Sequence, residues 1–127
     1  MAETIQSVIP PRFDLEERTA LFGEAVIGFV LKLRRDDIVG PLIRQLVRSA
    51  TSIGANYTEA DEAGTRKEFA YRISVCCRES RETQYWLRML AAASPNSKEK
   101  ARELWQEARE LTLIFGAIYR KTKNPPK

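Results

Sequence analysis

"SATSIGANYTEADEAG", Ser49 to Gly64, continues an apolar rhythm already set by "PLIRQLVRSA", Pro41 to Ala50. Yet Ser49, Thr51, Ser52, Gly54, Asn56 and Thr58 are weak helix formers, and no strong turn signal appears before Gly64. Either the helix ends early, or something approaches it closely and needs hydrogen-bonding partners there. At about 100° per residue, Ile43, Leu46, Val47, Ala50, Ile53, Gly54, Tyr57 and Ala60 share an apolar face. Beside it Gln45, Ser49, Ser52, Asn56 and Glu59, spaced alternately four and three apart, form a narrow polar stripe. A solvated face is the bland alternative. Exposed positions, however, more often hold long helix-favouring side chains. The stripe reads better as a close helix–helix contact, where small side chains permit approach and Asn56 and Glu59 fix register.

Three further helices surround this one. Upstream, "FDLEE" offers Asp14 as N-cap, Glu17 three residues on and Phe13 as staple, predicting a first helix from 14 to about Arg35. Its seam is Leu15, Phe22, Ala25/Val26, Phe29 and Leu33, while Leu21, Ile27 and Leu31 lie off the seam and give it a spare apolar face. "RRDDIVGP" breaks the pattern, with Pro41 predicted as the first residue of the second helix, which runs to about Ala63. Downstream, Thr65 and Glu68 form a second capping-box match. The third helix then follows Phe69, Ile73, Cys76, Ser80, Thr83, Leu87 and Leu90. After "SPNS" the fourth uses Ala101, Leu104/Trp105, Ala108, Leu111, Phe115 and Ile118. The expected fold is all-α: an antiparallel up-and-down four-helix bundle over residues 14–123, with an irregular N-terminal arm over 1–13 and a tail over 124–127.

Composition narrows the function. The 127 residues suit one domain, and 30% of them are charged. No apolar run is long enough to span a bilayer, and the N-terminus lacks a signal-peptide pattern, so the expected location is the cytoplasm, with no membrane partner. Cys76 and Cys77 are adjacent, which disfavours a disulfide between them and makes them packing residues. With no histidine, the Ser-His and Cys-His pairs and the commonest metal ligand are missing. No catalytic residue, metal or cofactor is expected.

Two surfaces exceed what one core can use. The spare face of the first helix is one. The other is the back of the third, with Tyr71, Val75, Tyr85, Trp86 and Met89 mixed with Arg78 and Glu82, a composition suited to protein contacts. Together they predict self-association through the polar stripe and the back of the third helix. The interface or structural polar network would comprise Gln45, Arg48, Ser49, Ser52, Asn56, Glu59, Glu82, Tyr85 and Trp86.

The same segments resemble a known family. The pattern Q-L-x-R-S-A-x-S-I-x-A-N-x-x-E falls on Gln45, Leu46, Arg48, Ser49, Ala50, Ser52, Ile53, Ala55, Asn56 and Glu59. K-E-F falls on Lys67 to Phe69, and E-x-x-E-T-x-Y-W-L on Glu79, Glu82, Thr83, Tyr85, Trp86 and Leu87. This is similar to the bacterial four-helix-bundle family named for proteins encoded in intervening sequences of large-subunit ribosomal RNA genes. Many relatives carry a glycine where this chain has Ala60. The resemblance implies a ring-like homopentamer without established enzyme activity. The wider superfamily includes the accessory proteins of diversity-generating retroelements, basic pentameric barrels that engage nucleic acid and a reverse transcriptase.

The net charge is +4 and the pI about 9.3, with the surplus on the third and fourth helices. Mixed surface charge for solubility is the plain reading. Repeated around a ring, however, the surplus becomes a basic surface able to hold structured RNA or DNA by its phosphates, with little selectivity for sequence. Arg66, Lys67, Arg120, Lys121 and Lys123, at helix ends or in the tail, are the expected phosphate contacts. The competing expectation is a scaffold that recruits another protein, its charge incidental.

Overall fold

The computed structural model describes residues 11–124, with side chains from residue 15 onward. Four helices follow one another: α1 (Pro11–Leu31), α2 (Val39–Asp61), α3 (Arg66–Ala93) and α4 (Lys98–Lys123), the last preceded by a 3-10 turn at Pro95–Ser97. Among the described residues there is no strand. Each helix packs on the next, and α4 returns to α1, giving up-and-down order around one core. The α3 helix packs extensively on both α2 and α4, whereas α1 rests mainly on α2.

The boundaries differ from expectation at three places. Helix α1 begins at Pro11, ahead of Asp14, because a proline in the first turn gives up no intrahelical hydrogen bond. The side chains of Phe13 and Asp14, and residues 1–10 of the expected arm, lie outside the described residues. Helix α1 also stops at Leu31: the amides of Lys32 and Leu33 turn to the carbonyls three residues back, closing the helix in a tighter turn. Helix α2 starts at Val39, with Pro41 inside its first turn. There the Asp36 carboxylate accepts hydrogen bonds from the amides of Val39 (2.7 Å) and Ile38 (2.8 Å), which hold its pKa below the usual carboxylate value. At α3 the Thr65 hydroxyl accepts from the Glu68 amide at 3.0 Å, as the capping pattern predicts.

The seams converge as the periodicities require. Leu15, Phe22, Val26 and Phe29 of α1 are buried, as are Ile43, Leu46, Ala50, Ile53, Tyr57 and Ala60 of α2. They meet Ile73, Cys76, Leu87 and Leu90 of α3 and Leu104, Ala108, Leu111 and Phe115 of α4. Ala25 is exposed instead of sharing the seam with Val26. The Cys76 thiol, buried under Ile53, is pushed up to about 12 by desolvation, and burial also raises Tyr57.

The weak helix formers of α2 have two neighbours to serve. Toward α1, Gly54 lies so near Thr19 that a Cβ there would meet the threonine hydroxyl at 3.2 Å. Thr19 itself donates back to the Leu15 carbonyl at 2.7 Å, so its buried hydroxyl is satisfied within α1. Toward α3, Ser49 is fully buried and its hydroxyl accepts from Thr83 at 2.9 Å. Two turns on, Asn56 donates to the Ser52 carbonyl and hydroxyl, both at 2.9 Å, and accepts from Arg72 at 3.0 Å. Helix propensity is given up locally so that two helices can approach α2 closely and with satisfied polar groups.

Two consequences can be measured. Asn56→Ala removes the acceptor of the Arg72 guanidinium and is expected to cost on the order of 1 kcal/mol, read as a lower melting temperature; an unchanged melt would mean that the stripe is structurally idle. Cys76 and Tyr57 are acids with raised folded-state pKa values, so the unfolded chain releases these protons first. Stability is therefore expected to hold below about pH 9 and to fall as pH rises toward 12. Chemical denaturation across that range should show a shallower fall for Cys76→Ala than for the wild type.

Candidate nucleic-acid interface

Helix α3 meets α4 in a fixed register. Gln84 donates to the Thr112 hydroxyl at 2.8 Å, the Cys77 thiol points to the Thr112 carbonyl at 3.6 Å, and Cys77 also lies beside Gly116. These contacts turn one edge of α3, Cys77, Arg81, Gln84 and Arg88 at helical spacing, toward α4. They turn toward it the α4 edge bearing Arg102, Arg109, Gly116 and Arg120. A seam with arginines on both sides results, and Arg81, Arg88, Arg102, Arg109 and Arg120 are all exposed.

None of these five forms an ion pair among the described residues, and several acids of α3 and α4 are engaged with other cations. Glu79 and Glu82 go to Arg48 on α2, at 3.2 and 2.6 Å. Glu107 and Glu110 go to Arg18 on α1, at 2.7 and 2.8 Å, and Glu103 to Lys100 at 3.4 Å. Hydrogen bonding to Glu107 raises the Arg18 pKa further above its ordinary value. Near the Cys77–Gly116 contact, guanidinium groups from both helices border the seam. Arg81 Nη2 lies 3.9 Å from the Cys77 sulfur, while Arg120 Nη1 reaches within 3.4 Å of where a Cβ on Gly116 would sit, itself 3.9 Å from that sulfur. Cations brought together without a carboxylate suit a bound anion.

The residues expected from sequence are distributed as follows. Arg66 and Lys67 begin α3 and Arg120, Lys121 and Lys123 end α4, so antiparallel packing brings both sets to one end of the bundle. From the Cys77–Gly116 contact, Lys67 is about 15 Å and Lys123 about 10 Å along their helices. That end also carries exposed Glu59, Asp61, Glu62 and Glu68, which dilute its charge. The last-turn cations of α4 complement the helix dipole, whereas Arg66 and Lys67 in a first turn oppose it and do not serve helix stability.

The opposite end went unread. There the α1–α2 connection and the start of α2 supply Lys32, Arg34, Arg35 and Arg44, and the end of α3 and the start of α4 supply Arg88, Lys98, Lys100 and Arg102. Against them stand Asp36, Asp37, Glu99 and Glu103, so this end holds a surplus equal to the chain's entire net charge of +4. Its signal in the sequence is two basic turns far apart in the chain, which only the topology brings together. The seam arginines were legible as pairs seven residues apart, Arg81/Arg88 and Arg102/Arg109, but their apposition needs the α3–α4 register.

The remaining candidates lie along α2 and α3. Ser49, Ser52 and Asn56 are engaged within the chain, Arg48 and Glu82 are paired, and Glu59 stands 4.0 Å from Arg72. Gln45 is exposed, with its carbonyl 3.4 Å from Arg48 Nε. Val75 is buried and Trp86 half-buried against the core, so the back of α3 is less apolar than its sequence suggests. Tyr85 remains outside, packed edge-to-face with Trp86 at 5.0 Å.

A solved structure from Bacteroides thetaiotaomicron VPI-5482, described as a protein with unknown function from the S23 ribosomal protein family, shares this fold with a TM-score of 0.73. It is 24% identical, and the match covers 82% of this chain and 96% of that one. No curated protein matches. Residues 21–117, reaching into all four helices, match the family described as 23S rRNA-intervening sequence protein. Most of the chain is covered by that match, and the chain belongs to the 23S rRNA-intervening sequence protein family.

Proposed function

We propose that the protein is a non-enzymatic nucleic-acid-binding protein that grips phosphate backbones along the α3–α4 seam, with little selectivity for sequence. The observation that supports this reading is the line of unpaired arginines, Arg81, Arg88, Arg102, Arg109 and Arg120, running into the basic end at Lys98 and Arg34. Phosphate contacts along such a line position a strand and carry no sequence information. Arg66, Lys67, Lys121 and Lys123 extend the line at the other end.

Assembly into a ring-like homo-oligomer, a pentamer as the family resemblance implies, belongs to the same proposal. Its support is the outer face of α1, where Leu21, Ile27 and Leu31 are 42%, 41% and 72% exposed. An apolar face on the helix least embraced by its own chain suits a neighbouring subunit. Several copies of one weak basic surface on a rigid body gain avidity for a long polyanion. The scaffold reading draws on the same α1 face, with another protein in place of the second copy.

Replacing Arg81, Arg109 and Arg120 with Gln is expected to weaken binding to unrelated RNA and DNA sequences about equally. It should also flatten the dependence of log affinity on log salt by roughly two to three units. Fluorescence anisotropy against salt reads both. Wild-type protein that binds no mixed RNA or DNA at micromolar concentration and low salt would leave the scaffold reading in its place. Ile27→Asp with Leu31→Asp is expected to dissociate the assembly while preserving helicity, by light scattering and circular dichroism; a wild-type monomer at micromolar concentration overturns the ring.

A further inference from the structure

The solvent face of α3 carries a second pattern beside the arginine seam. Lys67, Tyr71, Arg78, Arg81, Tyr85 and Arg88 recur at helical spacing on it, all six exposed, with no carboxylate among them. The acid at its border, Glu82, is held by Arg48 at 2.6 Å. Tyr71 and Tyr85 are 57% and 54% exposed, a high exposure for aromatic rings. Neither ring is loose. The Arg72 guanidinium carbon lies 5.7 Å from the centroid of Tyr71, and Tyr85 meets Trp86 at an interplanar angle of 75°. Each ring is steadied by its neighbour, and both stand among cations.

We infer that the strand taken by this surface is single-stranded, with unpaired bases stacking on Tyr71 and Tyr85 while the arginines between and beside them hold the phosphates. The inference rests on the nucleic-acid reading above and adds the class of ligand. A duplex buries its base faces and offers an exposed tyrosine nothing to stack on; a single strand offers a base at every step. The two rings are fourteen residues apart, about 21 Å along the helix. They therefore receive bases several nucleotides apart in one strand, within the length that single-strand sites occupy. Arg78 and Arg81 lie between the rings, and Arg88 follows Tyr85 by three residues and joins the seam. A second copy seated here would have to bring carboxylates to an acid-free face.

The test uses the full chain and labelled mixed-sequence twelve-nucleotide RNA and DNA, each single-stranded and as a duplex, at low salt. Single strands of either kind are expected to bind at least tenfold tighter than the duplexes and to quench Trp86, the neighbour of Tyr85. Tyr71→Ala and Tyr85→Ala should each lower single-strand affinity about five- to a hundredfold, leave duplex affinity unchanged, and be rescued by Phe. Melting curves of the exposed-site variants should match the wild type. Duplex binding as tight as single-strand binding, with the tyrosine variants unaffected, overturns this inference and leaves the backbone reading standing. No binding of any probe overturns both. If Tyr85→Ala breaks up an oligomer and leaves single-strand affinity unchanged, the face is a subunit contact and the inference fails.

Discussion

Arg48 reaches from α2 across to α3 and takes both Glu79 and Glu82. Glu79 is 7% exposed, so its carboxylate needs a partner to sit at that seam; without one it would be desolvated and unpaired, a loss of several kcal/mol for a fully buried ion and less here because Arg48 is half in solvent. The pair also fixes which turn of α2 faces which turn of α3, since Ser49, the residue after Arg48, then meets Thr83. Arg18 does the equivalent between α1 and α4, where it holds Glu107 and Glu110. Four of the bundle's acids are thus engaged by two arginines from facing helices. These four acids are therefore not available to the arginines of the α3–α4 seam, none of which forms an ion pair among the described residues.

The same economy explains the composition of α2. This helix must lie close to α1 at Gly54 and to α3 at Ser49, and a bulky side chain at either place would hold the helices apart. A helix built for propensity alone would carry Ala, Leu or Glu there. Seen this way, Gly54 and Ser49 are weak local choices made good by contacts that the local sequence does not contain. Helix α1 is the exception. It touches α4 much less than it touches α2, and its outer leucines and isoleucine face solvent, so it is the element whose full burial awaits another surface.

Most of the fold was legible in advance because burial imposes a period. The seams Ile43–Leu46–Ala50–Ile53–Tyr57 and Leu104–Ala108–Leu111–Phe115 are read directly, and all nine residues are buried. The polar stripe was legible as a contact through its small residues. That α3 of the same chain provides its partners was not, since the choice between a neighbouring helix and a neighbouring subunit depends on register. Helix ends were legible where a side chain caps the backbone, as at Thr65, and less so at Pro11, where a proline tolerates a helix start without announcing one. Charge was the hardest property to place. The sequence places a surplus on α3 and α4 as segments, whereas the surface that the charge makes depends on which edge each arginine occupies and on which turns share an end.

Placement also bears on what the two ends of the bundle do. At the α3 start and α4 finish, basic residues stand among Glu59, Asp61, Glu62 and Glu68, so the field there largely cancels beyond a Debye length. At the opposite end the surplus is uncompensated, and Asp36, one of its acids, has its carboxylate turned to the α2 amides. A polyanion approaching from a distance is therefore drawn first to the end carrying Arg34, Arg44, Arg88 and Lys98. From there Arg88 leads along the seam to Arg109, Arg81 and Arg120. In the proposed binding, long-range attraction and short-range grip would then fall on different residues. On the proposed reading, salt should weaken the first by screening and the second by restoring counterions to the phosphates, so the two contributions fall together as salt rises.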